Sequence, residues 1–382
     1  MAMSPSGPLE RGGIISAVAI EFRLMSPTSP TIRHLHRTLL AVLMTPLWLA
    51  QLLSVSKSFE QNPVIGSRLL NRLGLHALRV MLAHGITRLR WIFLAPLLSP
   101  SQRRMFREQG YLMLTNYLPP DRFAALDAEV RSHRGEVREC IQGDTQTHHT
   151  LLDDQALHDL PACRSLVYDR AYRRLLQWAA VRFGQPLIFI EQVRNGFVGE
   201  GGADPQKNLH ADTFHPTMKS WLYLDGVTEA NGPFAYVPGS NRLTWRRLVW
   251  EYRQSVQGRD LPDRYARRGS LRLTERDRLE LGLPELQRFT VPANTLVIAN
   301  TFGFHARSPA EKGSTRLAIF TSSRTNPFNP WPGLDLRWSN RLKYRVFQWY
   351  RRRQDRLAAR KGTLSSWHQL DLDAPDAKGT AI

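Results

Sequence analysis

The residues best placed to do chemistry are His210 and Asp212, in the stretch NLHADTFHPTMKSWLYLDGVTEANGPFAYVPGS from Asn208 to Ser240. On an extended backbone, residues two apart project to one side. An imidazole and a carboxylate at that spacing therefore converge on a point and supply two of the three donors of a facial metal site. Alone, the pair reads as an ordinary strand hydrogen-bond pair; its weight comes from residues much further along the chain. A second apolar run, TLVIANTFGF from Thr295 to Phe304, comes after the turn signal Pro292-Ala-Asn and reads as a buried strand that delivers His305. Arg316, eleven residues on, opens RLAIFTS, where alternation aligns it with Ala318 and Phe320 and sets Leu317 and Ile319 opposite. A guanidinium aimed the same way as two buried side chains is costly unless an anion meets it.

These residues, with the segment ANGPFAYVPGS at 230–240, resemble the phytanoyl-CoA dioxygenase family of Fe(II)- and 2-oxoglutarate-dependent oxygenases. The resemblance runs from about Gln102 to Arg324 and begins with FREQGYLMLTNYLPPDRFAALDAEV at Phe106 to Val130. It implies that His210, Asp212 and His305 hold iron, that 2-oxoglutarate takes two of the remaining sites and that dioxygen takes the last. It further implies that Arg316 pairs with the distal carboxylate of the cosubstrate, since a guanidinium matches a carboxylate bidentately. By the same resemblance Trp221 stands beside the cosubstrate, and Gln192, on the apolar run from Pro186 to Val193, is a weaker candidate to contact it. The interval from the H-x-D to the tryptophan is shorter than in better-known members, so the substrate identity of the family does not carry over. Arg307 stands where small residues are usual, either reading an anionic substrate or facing solvent. His148, His149 and His215 lack partners at ligand spacing and are expected at the surface or just outside the site, with His215 an outside candidate to meet substrate.

The elements that must position these residues come with unusual charge. The chain has 382 residues, a net charge of +19 and 42% hydrophobic residues. That is ample apolar material for a core, while the basicity points to a polyanionic partner. Only Cys140 and Cys163 are present, which implies no disulfide framework and fits a reducing compartment. Four regions are expected. Residues 1–36 are Ser- and Pro-rich with no convincing signal peptide and are expected to be disordered, with Met25 a candidate true start. Residues 37–100 form an apolar and basic helical extension. Within it Thr38 to Ser56 is uncharged but broken by Pro46 and Gln51, suiting an interfacial or docked helix better than a span. Ile65 to Leu98 then reads as an amphipathic helix pair broken near Gly85, with Leu69, Leu70, Leu73, Met81 and Leu82 opposed by Arg68, Arg72 and Arg79.

Residues 101–326 form the oxygenase domain. Its polar stretch Glu136 to Asp154 is expected to be a lid loop, and its helical insertion at about 242–287 carries a capping-box signal at Thr274 and Asp277. The insertion's arginines, Arg246 and Arg247 among them, are expected to face incoming substrate. Residues 327–382 supply a basic helix over Ser339 to Lys361, with Leu342, Val346, Trp349 and Tyr350 at helical spacing, and a flexible tail from His368. Such a helix suits an anionic bilayer, and no helix-turn-helix, zinc finger or stacking platform supports nucleic acid.

The expected fold is α+β, a double-stranded β-helix (jelly-roll, cupin-like) core wrapped by N-terminal and C-terminal helices. The expected function is a dioxygenase that uses Fe(II), 2-oxoglutarate and O2 to hydroxylate a lipid-like, acyl or otherwise anionic small molecule. It would work in the cytoplasm, with the inner face of the membrane as a candidate peripheral site. Two alternatives stand beside it: a catalytically inactive barrel serving as a membrane-surface binding or scaffold module, and a metal-dependent isomerase or sugar-binding barrel. Neither requires a buried carboxylate clamp at Arg316. Oligomeric state is not legible in the sequence.

Overall fold

A computed structural model describes residues 41–197 and 204–370. The expectations for residues 1–36, including Met25, lie outside the described residues, as does the end of the chain beyond Leu370. The centre is a large antiparallel sheet. Its strands are β1 (Tyr111–Leu114), β2 (Arg138–Gln142), β3 (Thr145–Leu151), β4 (Leu187–Asn195), β5 (Met218–Tyr223), β8 (Thr295–Asn300), β10 (Thr315–Ser323) and β11 (His368–Gln369). They lie in the order β1-β8-β5-β10-β4-β3-β2-β11. A second sheet is built from β6 (Phe234–Tyr236), β7 (Gln287–Arg288) and β9 (His305–Arg307), in the order β7-β6-β9. Together they form the two-sheet jelly-roll core.

Both faces of the large sheet are covered, so its central strands are apolar almost throughout. Ile188, Ile190, Leu222, Leu317 and Ile319 pack on one side against Trp178, Leu176 and other helical residues. On the other, Phe189, Trp221, Tyr223, Ala318 and Phe320 pack toward Phe234 and Tyr236 of the small sheet. Asp169 begins the covering helix Arg170–Ala179, its carboxylate accepting from the backbone N–H of Ala171 at 2.9 Å and Tyr172 at 3.0 Å.

Several elements depart from the sequence expectations. Leu75–Leu94 is one uninterrupted helix, and the break falls instead at Gly74, whose φ of +94° suits glycine alone at little cost. Gly85 stays helical because the roughly 1 kcal/mol it costs an exposed helix is small beside the packing of a twenty-residue element. The supposed lid is the β2–β3 hairpin, turning at Gly143 with φ +57°. Within it His148 donates to Glu139 at 3.0 Å, and His149 donates to Glu191 on the neighbouring β4 at 2.8 Å. The insertion is helical at Trp245–Val256, Arg264–Arg267 and Glu275–Glu280, with the Thr274–Asp277 capping box formed. Arg247 does not face substrate: it is buried, bonded to Glu251 at 2.9 Å, and its guanidinium lies over the rings of Phe302 and Phe304. Among the described residues no helix is long and apolar enough to cross a membrane. Residues 41–50 are helical and lead into a short turn at Gln51–Leu53.

The expected tail is partly ordered, because His368 and Gln369 pair with Glu139 and Arg138. His148 and then His368 hold the Glu139 carboxyl down from 4.5 to about 2, while Glu139 raises the His368 imidazole above 6.5. The carboxylate's contribution is complete above its ordinary pKa and is lost as pH falls toward the folded value. The imidazole's is complete below its ordinary pKa and is lost as pH rises through the folded one. Docking of β11 should therefore be firmest between about pH 4.5 and 6.5. Protection of the Leu370 N–H, bonded to Val137 O at 2.9 Å, measured against the intrinsic exchange rate at each pH, should fall on either side of that window in the native chain. In Glu139→Gln it should be low throughout.

Candidate metal centre

His210 is bridged on one side to Arg272 and on the other to His305, with which it exchanges backbone bonds at 3.0 and 2.9 Å. The two imidazoles are thus brought together by main-chain pairing between segments far apart in sequence. Asp212 sits in the bend just after that bridge, so the H-x-D is carried by a strand end running into a turn rather than by a regular strand. His305 is likewise not a continuation of β8. The chain turns through 301–304 and crosses from the large sheet to the small one before reaching it. Gly303 makes that crossing possible, since a Cβ there would stand 1.8 Å from the hydroxyl of Tyr236.

His210, Asp212 and His305 form a buried cluster whose ligand atoms all lie within 4.8 Å of one another. Each imidazole has its tautomer fixed. The Nδ1–H of His210 donates to Asn208 O at 2.7 Å, and that of His305 donates to Gly303 O at 2.9 Å. Both Nε2 lone pairs are left facing inward, buried and without a hydrogen-bond partner. They stand 3.7 and 3.6 Å from Asp212 Oδ1, too far for a hydrogen bond and on the scale of two donors sharing one cation. Burial pushes the His210 imidazole down to about 3, with His305 adding to the effect, so the ring is a neutral donor. Burial works to raise the Asp212 carboxyl, but Lys219 and the two histidines outweigh it and hold the group well below the usual carboxylate range. Lys219 Nζ is 2.9 Å from Oδ2, and Lys57 Nζ donates to the Asp212 carbonyl at 2.5 Å.

Arg316 and Trp221 line the cavity of about 180 Å³ that contains this cluster. Arg316 is 4% exposed, donates to Gly232 O and lies over the Tyr223 ring at 5.5 Å. The alternation read from RLAIFTS is the one observed. Trp221 stacks near Phe234 at 4.6 Å, and its indole N–H donates to Glu191 Oε1 at 3.1 Å.

Gln192 points the other way. Its neighbour Glu191 lies on the cavity side and joins Trp221 to His149, which is sandwiched by Phe189 and Trp367. Both strand faces are buried, so periodicity could not separate 191 from 192. None of the three extra histidines is at the surface. His148 and His149 sit on Glu139 and Glu191, and His215 is 1% exposed, donates from Nδ1 to Pro216 O at 3.1 Å and does not line the cavity.

Around the cluster the walls are cationic. Lys57, Lys219, Arg272, Arg307, Arg324 and Arg351 line the cavity, against only Glu191 and Asp212. Arg307 is held by Asp204 at 2.8 Å and Arg272 by Asp263 at 3.2 Å. Of the insertion's arginines only Arg272 lines the cavity, so the expectation that Arg246 and Arg247 face it is not met.

Residues 106–271 match the family model described as phytanoyl-CoA dioxygenase (PhyH). That match includes His210, Asp212 and Trp221 and ends before His305 and Arg316, which the fold brings to the same cavity. No curated protein matches the chain. Similar solved structures include the non-heme alpha-ketoglutarate-dependent epimerase SnoN from nogalamycin biosynthesis, at 17% identity and TM-score 0.39, covering 59% of this chain and 83% of that one. The carbocyclase SnoK from the same biosynthesis is 20% identical with TM-score 0.35, covering 59% and 83%. HygX from Streptomyces hygroscopicus, solved with nickel and 2-oxoglutarate bound, is 18% identical with TM-score 0.34, covering 59% and 86%.

Proposed function

We propose, from the match of residues 106–271 to the phytanoyl-CoA dioxygenase (PhyH) family model, that the chain is a member of that family and an Fe(II)- and 2-oxoglutarate-dependent oxygenase that hydroxylates an anionic small molecule. The observation that carries this reading is the pair of buried, unpartnered Nε2 atoms facing one ionised carboxylate. Two neutral imidazoles and a carboxylate are the donor set that suits ferrous iron with open positions, and leaving such lone pairs buried without a ligand is costly.

His210, Asp212 and His305 would hold the iron. With 2-oxoglutarate and dioxygen bound, the metal supplies oxidative decarboxylation of the cosubstrate to succinate and carbon dioxide, coupled to oxygen insertion into a substrate C–H bond. The protein's part is binding and orientation. Arg316 receives the distal carboxylate of 2-oxoglutarate. Lys219, 2.9 Å from Asp212, keeps that carboxylate ionised and fixed. The Trp221–Glu191–His149 chain braces the inner wall, and the aromatic surround of Phe189, Phe234 and Phe320 keeps water from the centre.

Support for an anionic substrate comes from the cationic excess on the cavity wall. Arg324, half-buried, lines the same cavity just past the end of β10, the strand that carries Arg316 near its start. Arg324→Ala should raise the apparent KM for substrate by about tenfold, the loss of one charge-assisted hydrogen bond, and leave the KM for 2-oxoglutarate unchanged. An unchanged substrate KM would remove Arg324 from recognition. The reaction type is tested by comparing product masses from wild type and His210→Ala with anionic metabolite and lipid extracts. Hydroxylation gives succinate together with a product one oxygen heavier, whereas a product of unchanged mass would place the chemistry with epimerisation.

A further inference from the structure

The helix Leu75–Leu94 is inside out. Leu78, Met81, Leu82, Leu89, Ile92 and Phe93 are 42–70% exposed, at the spacing of one helical face. The side turned to the protein is largely polar: His76, Arg79, His84, Thr87 and Arg90 are each no more than 7% exposed, beside the buried Val80, Ala83 and Leu94. Three of the polar groups hold the helix down. Arg79 donates to Leu52 O at 2.9 Å and Ser56 O at 2.7 Å and lies over Phe214, His76 meets Glu251 at 3.0 Å, and Arg90 reaches Asn326 O at 3.3 Å. Leu69 and Leu73, on and beside the adjoining helix Arg68–Arg72, are 66% and 77% exposed, and Val42, Leu43 and Leu49 in the preceding helical segment are 51–65% exposed. So many large apolar side chains exposed on one helix face and the helix beside it mark an interaction site.

Charge decides the occupant. No acidic residue occurs between Gln61 and Arg107, and Arg68, Arg72 and Arg88 are exposed along this face. A second copy of a chain with net charge +19 would bring like charges together with no carboxylate to meet them. An anionic headgroup layer supplies the missing charge beside an apolar boundary. We propose that the N-terminal helical layer docks on an anionic lipid bilayer, the exposed side chains of Leu75–Leu94 entering the headgroup–acyl boundary and Arg68, Arg72 and Arg88 meeting lipid phosphates. The C-terminal helix Arg337–Ala359 shows the same inversion, with Trp338, Leu342, Val346 and Trp349 outward and Phe347 and Arg351 buried. This surface is independent of the metal cluster and stands or falls without it.

The test is sedimentation of the full chain with phosphatidylcholine vesicles, with and without about a third phosphatidylglycerol, together with its size in solution. Wild type should pellet with the anionic vesicles at low salt, and release should follow rising salt as the surface charges are screened. Leu82→Glu with Ile92→Glu should weaken binding at least tenfold at an unchanged melting temperature. Arg68→Gln, Arg72→Gln and Arg88→Gln together should weaken binding to anionic vesicles, with no apolar position altered. The proposal is overturned if wild type stays in the supernatant, if both variants pellet like wild type, or if wild type is a dimer that the glutamate variant converts to monomer.

Discussion

Replacing His305 with alanine is expected to abolish iron-dependent conversion of 2-oxoglutarate to succinate. The substitution removes one of two Nε2 donors and leaves the ring of His210, 4.5 Å away, facing an empty position. Losing an outer partner of a metal ligand typically lowers metal affinity or activity about 10–100-fold, so loss of a ligand itself should exceed about a hundredfold. The fold should tolerate it, because the main-chain bonds of His305 to His210 and of Phe304 to Val237 do not involve the imidazole. Iron content and succinate formation, measured against His149→Ala, distinguish the roles. His149 lines the same cavity but has Nε2 committed to Glu191 at 2.8 Å, so its variant should keep iron. Full activity in His305→Ala would remove it from the centre.

The second large effect is expected at Arg316. If its guanidinium receives the distal carboxylate in two parallel bonds, Arg316→Ala should raise the apparent KM for 2-oxoglutarate by about a hundredfold, near 3 kcal/mol for two charge-assisted hydrogen bonds. The alanine variant also strands the Gly232 carbonyl, which Arg316 now satisfies in a buried position, and that loss alone is worth about 1–3 kcal/mol of stability. Arg316→Lys separates the two. It keeps a charge but lacks the planar fork, so it should recover stability while leaving the KM raised roughly tenfold or more. A lysine variant with unaltered KM would show that the carboxylate is bound elsewhere.

How much was legible in the sequence depended on which physical signals were local. The alternation in RLAIFTS put Arg316 on the cavity side because its partners Ala318 and Phe320 are both buried there. His210 and Asp212 were legible as a pair from spacing, though the segment that carries them is a bridge and bend. Glu191 was hidden because β4 is buried on both sides and carries no polar–apolar alternation to set its register. The β2–β3 hairpin was missed because its histidines pair across strands, with Glu139 and Glu191, and its polar content looks like loop composition in a linear reading. The helix Leu75–Leu94 misled in direction: its amphipathic pattern was visible, but nothing local says that Arg79 and Arg90 face the protein while Arg88 stays exposed beside the leucines.

The most direct measurement is anaerobic addition of ferrous iron and 2-oxoglutarate to the apoprotein, followed by visible absorbance. Wild type should develop a charge-transfer band that requires both additions and saturates at one iron per chain. The band should be absent in His210→Ala and should need far more 2-oxoglutarate in Arg316→Lys. A wild-type chain that develops no such band, or a His210→Ala chain that develops it undiminished, would contradict the assignment of His210, Asp212, His305 and Arg316 to one oxygenase centre.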